Sequence, residues 1–106
     1  MAKKENINQK VLEFYELIRK QYPIKGIFLF GSHAKGNPGK DSDIDVGVVI
    51  NYKNHKDRIH ITAKLFHEAS KIDFAIEPKC IFWDEYKKHD KASILAEIIR
   101  TGIKIV

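Results

Sequence analysis

Apolar residues along this chain fall into two kinds of pattern. From Asn6 to Gln21, Val11, Phe14, Tyr15, Leu17 and Ile18 recur at helical spacing, while Lys10, Glu13, Glu16 and Lys20 lie mostly on the opposite side. Tyr22-Pro23 ends this predicted helix, because the residue before a proline avoids helical backbone. Ile24 to Phe30 and Ile44 to Ile50 are short and almost continuously apolar, the signature of strands buried on both faces. His55 to Ser70 reads as a second helix, with Ile59, Ala63, Phe66 and Ile61 directed inward. Ile72 to Phe82 reads as a third strand region bent at Pro78, and Asp84 to Lys88 as a short helix. Lys91 to Thr101 is a further helix with Ile94, Leu95, Ile98 and Ile99 apolar. Gly102 caps it, and Ile103 to Val106 forms a final strand. Helices alternating with about four strands predict an α/β fold, a mixed sheet flanked by helices.

Between the first two strands lies Gly31 to Ser42, a loop with one helical turn expected from Ser32 and turn punctuation at Gly36-Asn37-Pro38-Gly39. Its two ends carry the chemistry. The first strand closes on Gly31-Ser32, where small residues leave backbone amides free to hold an anion. Ten residues separate Ser32 from Asp43, and Asp43-Ile44-Asp45 opens the second strand. Asp43 and Asp45 share a face, since strand side chains alternate. Two such carboxylates repel unless a cation lies between them. Antiparallel pairing of the two strands would make these ends neighbours. Carboxylates for a hard cation beside amides for phosphate suggest a metal–nucleotide site.

Three rival motifs fail. Gly31 and Gly36 have Walker A spacing, but Asn37 and Pro38 stand where Lys and Ser or Thr are required. No Gly-x-Gly-x-x-Gly occurs. Asp41-x-Asp43-x-Asp45 begins like a calcium loop, yet its glycine falls one place late at Gly47, and Tyr52 replaces the closing Glu.

The chain has 106 residues, which is expected to make residues 1–106 a single small domain. A net charge of +5 suits an anionic partner without choosing one. The single Cys80 cannot form an internal disulfide and is expected to be a buried apolar residue in a reducing cytoplasm. No apolar run approaches the roughly 20 residues of a membrane span, and no secretory signal follows Met1. His33, His55, His60, His67 and His89 show no paired metal spacing. Trp83 is expected to pack at the core or the sheet edge rather than to serve as a base-stacking platform. Because the positive residues are scattered, direct nucleic-acid binding is not expected.

Gly31-Ser32, ten residues, then Asp43-x-Asp45 resembles the DNA polymerase β nucleotidyltransferase superfamily. The Gly-Ser-x-Ala-x-Gly form and the short length look like its minimal nucleotidyltransferase (MNT) group. The closing Ile98-Ile99-Arg100-Thr101-Gly102-Ile103-Lys104-Ile105 looks like that group's last helix and strand. The resemblance implies a Mg²⁺-dependent transfer of NMP from an NTP, ATP foremost, to a hydroxyl acceptor. Gly31, Ser32, Lys35 and Lys40 would meet the nucleotide, and Asp43 and Asp45 would hold metal. It also implies a third carboxylate. Asp73 and Glu77 share strand parity, so alternation leaves both open. Glu77 is preferred, because Ile76-Glu77-Pro78 looks like a Glu-Pro form in some MNT relatives. MNT proteins pair with HEPN-domain proteins as antitoxins, which makes such a protein the expected partner, with a homo-oligomer also open. The alternative is a non-catalytic module that binds nucleotide or neutralises a partner.

Overall fold

A computed structural model describes residues 3–31, 43–88 and 93–106. In chain order these form α1 (Lys3–Ile18), β1 (Ile24–Phe30), β2 (Ile44–Ile50), a 3₁₀ turn (His55–Asp57), α2 (Arg58–Ser70), β3 (Ile76–Phe82), α3 (Trp83–Lys87), α4 (Ile94–Thr101) and β4 (Ile103–Lys104). The sheet order is β3-β2-β1-β4. β1 pairs antiparallel with β2 and β4, whereas β2 and β3 run parallel. A parallel pair needs a crossover connection, and α2 supplies it. The sheet is therefore mixed, the four-stranded α/β arrangement the pattern predicts.

The continuous apolar runs of β1 and β2 are explained by helices on both faces of the sheet. Ile27 and Leu29 of β1, Val46, Val48 and Ile50 of β2, and Ile76, Cys80 and Phe82 of β3 join one buried cluster. Val11, Phe14 and Ile18 of α1 and Ile61, Leu65 and Ala69 of α2 complete it. Phe28, Val49 and Ile81 point the other way and meet Trp83, Tyr86 and Leu95. On that second face the register aligns cross-strand rows: Phe30, Asp45 and Glu77 in one, then Phe28, Gly47 and Lys79 in the next.

Element ends follow local chemistry. The 3₁₀ turn is capped by Asn54, whose Oδ1 accepts the Lys56 N–H at 3.2 Å. Ser93 Oγ accepts the Ala96 N–H at 3.0 Å and starts α4, and Gly102 ends it with its N–H on the Ile98 carbonyl. The outer strand β3 is protected against further pairing. Pro78 has no N–H to offer, and Arg58 Nη1 donates to the Cys80 carbonyl at 2.8 Å.

Two expectations need correction. The inward face of α2 is Ile61, Leu65, Glu68 and Ala69. Ile59 is 85% exposed, Phe66 is 43% exposed, and Ala63 is also on the outside. Packing on the sheet turns the Ile61-Leu65-Ala69 face inward, and Glu68 reaches burial because Lys71 Nζ meets its carboxylate at 3.2 Å. The third strand is also shorter than expected. Residues 71–75 turn, with Asp73 Oδ1 accepting the Ala75 N–H at 2.8 Å, and β3 begins only at Ile76. Cys80 is buried, as expected, and burial pushes its thiol up to about 11. His60 and His67 are exposed. No helix among the described residues is long and apolar enough to cross a membrane.

Candidate active site

Antiparallel pairing brings the end of β1 to the start of β2, with Phe30 opposite Asp45. Gly31 follows immediately, with φ of +74°. That left-handed backbone strains any residue with a Cβ. Space is closed as well. A Cβ on Gly31 would stand 3.2 Å from Asp45 Cγ and closer still to Oδ2. The glycine is thus needed for a reason the sequence did not disclose: its bare backbone makes room for the Asp45 carboxylate itself.

Parallel pairing then sets Glu77 beside Asp45 on β3. The Glu77 carboxyl is held above the ordinary glutamate value. Its hydrogen-bonding relation to Asp43 is the leading cause, followed by burial and by the negative charge of Asp43 and then Asp45. Asp73 has the opposite surroundings. Lys10 Nζ of α1 donates to its Oδ2 at 2.5 Å, and this bond, with that from Ala75 N–H, holds the Asp73 carboxyl below the usual range. Of the two carboxylates with equal parity, Asp73 is engaged in tying α1 to the loop before β3. Glu77 stands with Asp43 and Asp45.

A cleft of about 580 Å³ opens over this row. Phe30, Asp45 and Glu77 form part of its floor, Phe66 of α2 lies on one side, and Ile98 and Thr101 of α4 lie on the other. Lys79 also lines it, one register row beyond Glu77. Sequence reasoning passed over Lys79. Its signal was available, since it lies two residues after Glu77 and so on the same face. Ser32, Lys35 and Lys40 lie outside the described residues, as does the helical turn expected from Ser32.

Among the described residues, no three Asp, Glu, His or Cys side chains stand together closely enough to hold a metal ion as they are placed. The carboxylates nevertheless interact, and the raised Glu77 registers the cost of their shared negative charge. That donor set is hard oxygen on one sheet face, which fits a divalent cation such as Mg²⁺ rather than a soft metal.

The family model "Polymerase beta, Nucleotidyltransferase" matches residues 13–106. No curated protein matches the sequence. Among solved structures, the chain is similar to a Sulfolobus solfataricus protein provisionally assigned as a nucleotidyltransferase. The TM-score is 0.66 and the identity 17%, over 95% of this chain and 80% of that one. It is also similar to a toxin-antitoxin structure with AMP-PNP, with TM-score 0.58 and 20% identity, over 93% and 72% of the two chains. A mutant of the MntA-HpeT toxin-antitoxin gives TM-score 0.54 and 19% identity, over 93% and 72%. At these identities the structural likeness speaks for the fold, and the family model speaks for descent. The chain belongs to the polymerase β nucleotidyltransferase family.

Proposed function

We propose that this protein transfers an NMP group from an NTP, ATP foremost, to a hydroxyl acceptor, with residues 1–106 acting as one minimal nucleotidyltransferase domain. The observation that carries this reading is the Gly31 backbone pressed against the Asp45 carboxylate, with Glu77 in the adjoining strand position. Asp43, Asp45 and Glu77 would hold Mg²⁺, which supplies charge neutralisation on the phosphates and acidifies a hydroxyl when bound. Gly31, Ser32, Lys35 and Lys40 would hold the nucleotide, with amides and ammonium groups meeting the triphosphate. The acceptor oxygen attacks the α-phosphorus. The P–O bond to it forms while the bond to the bridging oxygen of the β-phosphate breaks, and pyrophosphate departs. Glu77, beside Asp45 on the adjoining strand, would take the acceptor proton.

The acceptor would come from a partner protein, a reading that the similar toxin-antitoxin structures support. A HEPN-domain toxin is the partner we propose, with this chain as antitoxin in the cytoplasm. The decisive experiment incubates the chain with α-labelled ATP, Mg²⁺ and the protein encoded by the adjacent gene. Label on the partner, lost with EDTA and with Asp43→Asn, is expected. Nucleotide binding without any transfer, to that partner or to its RNA, would favour the non-catalytic module. The open arrangement of the carboxylates gives that second reading its footing.

A further inference from the structure

At the opposite end of the same sheet face, α3 sorts its side chains by charge. Asp84 meets His55 Nε2 at 2.9 Å, and Glu85 is bound by Arg58. Both acids are thereby engaged with the 3₁₀ turn and α2. On its other side α3 presents Trp83, Tyr86 and Lys87. Lys25 Nζ lies 5.0 Å from the Trp83 ring centroid, and Lys87 Nζ lies 5.5 Å from it. Trp83 and Tyr86 stack with centroids 5.4 Å apart and planes at 14°, and Tyr86 in turn stacks on Phe28 at 5.8 Å. Lys104 of β4 pairs in register with Phe28, so a third ammonium enters the same group. A hollow of about 80 Å³ lies between Lys25, Lys104, Trp83 and Tyr86. Lys25, Lys87 and Lys104 are exposed and make no ion pair among the described residues.

We propose that this lysine-rimmed aromatic hollow binds single-stranded nucleic acid. Cation–π contact holds two ammoniums near one indole, yet at an exposed site it is worth only about 0.5–1 kcal/mol. The ammoniums therefore move readily to a stronger anion, and their mutual repulsion falls when they do. Phosphates would meet the lysines, and a flat base would extend the Phe28–Tyr86–Trp83 stack at the half-exposed Trp83. An acidic peptide would satisfy the charges but offers no flat ring to extend that stack. A duplex keeps its bases paired and stacked, out of reach of the rings. The hollow is set apart from the carboxylates. Asp45 and Val49 lie on the same face of β2, about 13 Å apart at strand rise. The site therefore takes its ligand whether or not the transfer reaction proposed above occurs.

Trp83 is the single tryptophan, so its fluorescence reports this hollow directly. The test titrates the full chain with a short single-stranded oligouridine, without NTP or metal, while the indole signal is read. Saturable quenching is expected. Three phosphate contacts on a single strand predict a log–log salt slope of about −2, roughly a twentyfold loss of affinity between about 50 and 200 mM salt. Lys25→Gln with Lys104→Gln should lower affinity at least about tenfold and flatten that slope, and Lys87→Gln alone should lower it less. Lys64→Gln, on α2 across the sheet, should change nothing. All four lysines are exposed, so the variants are expected to keep the fold. Absence of quenching overturns the proposal. So does equal quenching by polyglutamate, which would mark an acidic-protein surface, or equal affinity for a duplex.

Discussion

The two faces of the sheet are built differently. Under α1 and α2, the described residues give one cluster of fifteen buried side chains, from Val11 on α1 to Phe82 at the end of β3. On the other face the buried cluster among the described residues is smaller, Phe28, Val49 and Ile81, with Trp83, Tyr86 and Leu95 half-covering them and Ile98 of α4 close to Gly47. Gly47 leaves room there for Ile81 and for Ile98 of α4, whereas Asp45, Glu77 and Lys79 are charges that no folding requirement explains. The first face stabilises the domain, and the second uses that stability to hold like charges together. Substitutions should separate the two roles, and their expected effects on stability fall in a clear order.

The largest effect is expected at Phe14, fully buried between α1 and the sheet. Phe14→Ala should cost about 3–5 kcal/mol, from lost burial and from the cavity left behind. A domain of this kind has a total stability of only about 5–15 kcal/mol. A urea midpoint shifted far down, or no folded baseline at all, is the expected outcome. Phe66→Ala, at the rim of the cleft and 43% exposed, should move the midpoint far less. Equal losses at the two positions would erase the distinction between the faces.

Gly31 sits where the faces meet. Gly31→Ala should cost about 1–2 kcal/mol from the left-handed backbone alone, and more from the collision with Asp45. The second cost can be isolated. Adding Asp45→Ala removes the carboxylate and should return part of the loss, whereas Asp45→Asn keeps the side chain's size and should not. A coupling of about 0.5–3 kcal/mol between the two positions is expected for groups in contact. Strict additivity would mean that Asp45 can turn away freely, and the shared pocket would lose its basis.

Much of this was legible in the chain itself. β1 and β2 fall where the apolar runs of Ile24–Phe30 and Ile44–Ile50 put them, and their antiparallel pairing brings Gly31 to Asp45. What escaped was contextual. α2 offers two apolar faces at helical spacing, Ile59-Ala63-Phe66 and Ile61-Leu65-Ala69, and packing on the sheet turns the second inward. Asp73 and Glu77 are equivalent by parity, and they are separated by the turn that leaves Asp73 outside β3 and by Lys10, 63 residues away from Asp73. The basic aromatic hollow draws Lys25, Trp83, Tyr86, Lys87 and Lys104 from three segments, so each lysine looks like ordinary solvated surface when read in order.

A smaller effect is expected at Asp73. Its carboxyl is depressed by Lys10 and by the Ala75 N–H. A folded value below the unfolded one means that stability is present above the unfolded value and is lost as pH falls through the folded one. Because the pair is partly exposed, Asp73→Asn should cost only about 0.5–1 kcal/mol at neutral pH. Thermal melts of wild type and variant should converge in acid. A constant gap at every pH would mean that the turn geometry matters and the charge does not.

Glu77→Gln should have the smallest effect on stability, and of opposite sign. The folded Glu77 carboxyl is raised, chiefly by its hydrogen-bonding relation to Asp43. Between the ordinary glutamate value and that raised one, the folded state holds more protons than the unfolded state. Unfolding free energy therefore falls as pH rises through this window and levels off above it. Glutamine carries no charge to repel. At neutral pH without divalent metal, Glu77→Gln should match wild type or exceed it by no more than about 0.5 kcal/mol, consistent with its exposure. Magnesium should reverse the order. An ion bound only by the folded state stabilises it by RT times the logarithm of one plus the ratio of ion concentration to Kd, so tighter binding raises the melting temperature further at a given ion concentration. Wild type, with three carboxylates, should gain more than the variant with two. Melts in EDTA and in excess Mg²⁺ read both signs with the same pair of proteins. A variant less stable than wild type in EDTA would show Glu77 to be a structural partner of the aspartates. An equal gain in Mg²⁺ would remove Glu77 from the proposed metal site and leave Asp43 and Asp45 to hold the ion alone.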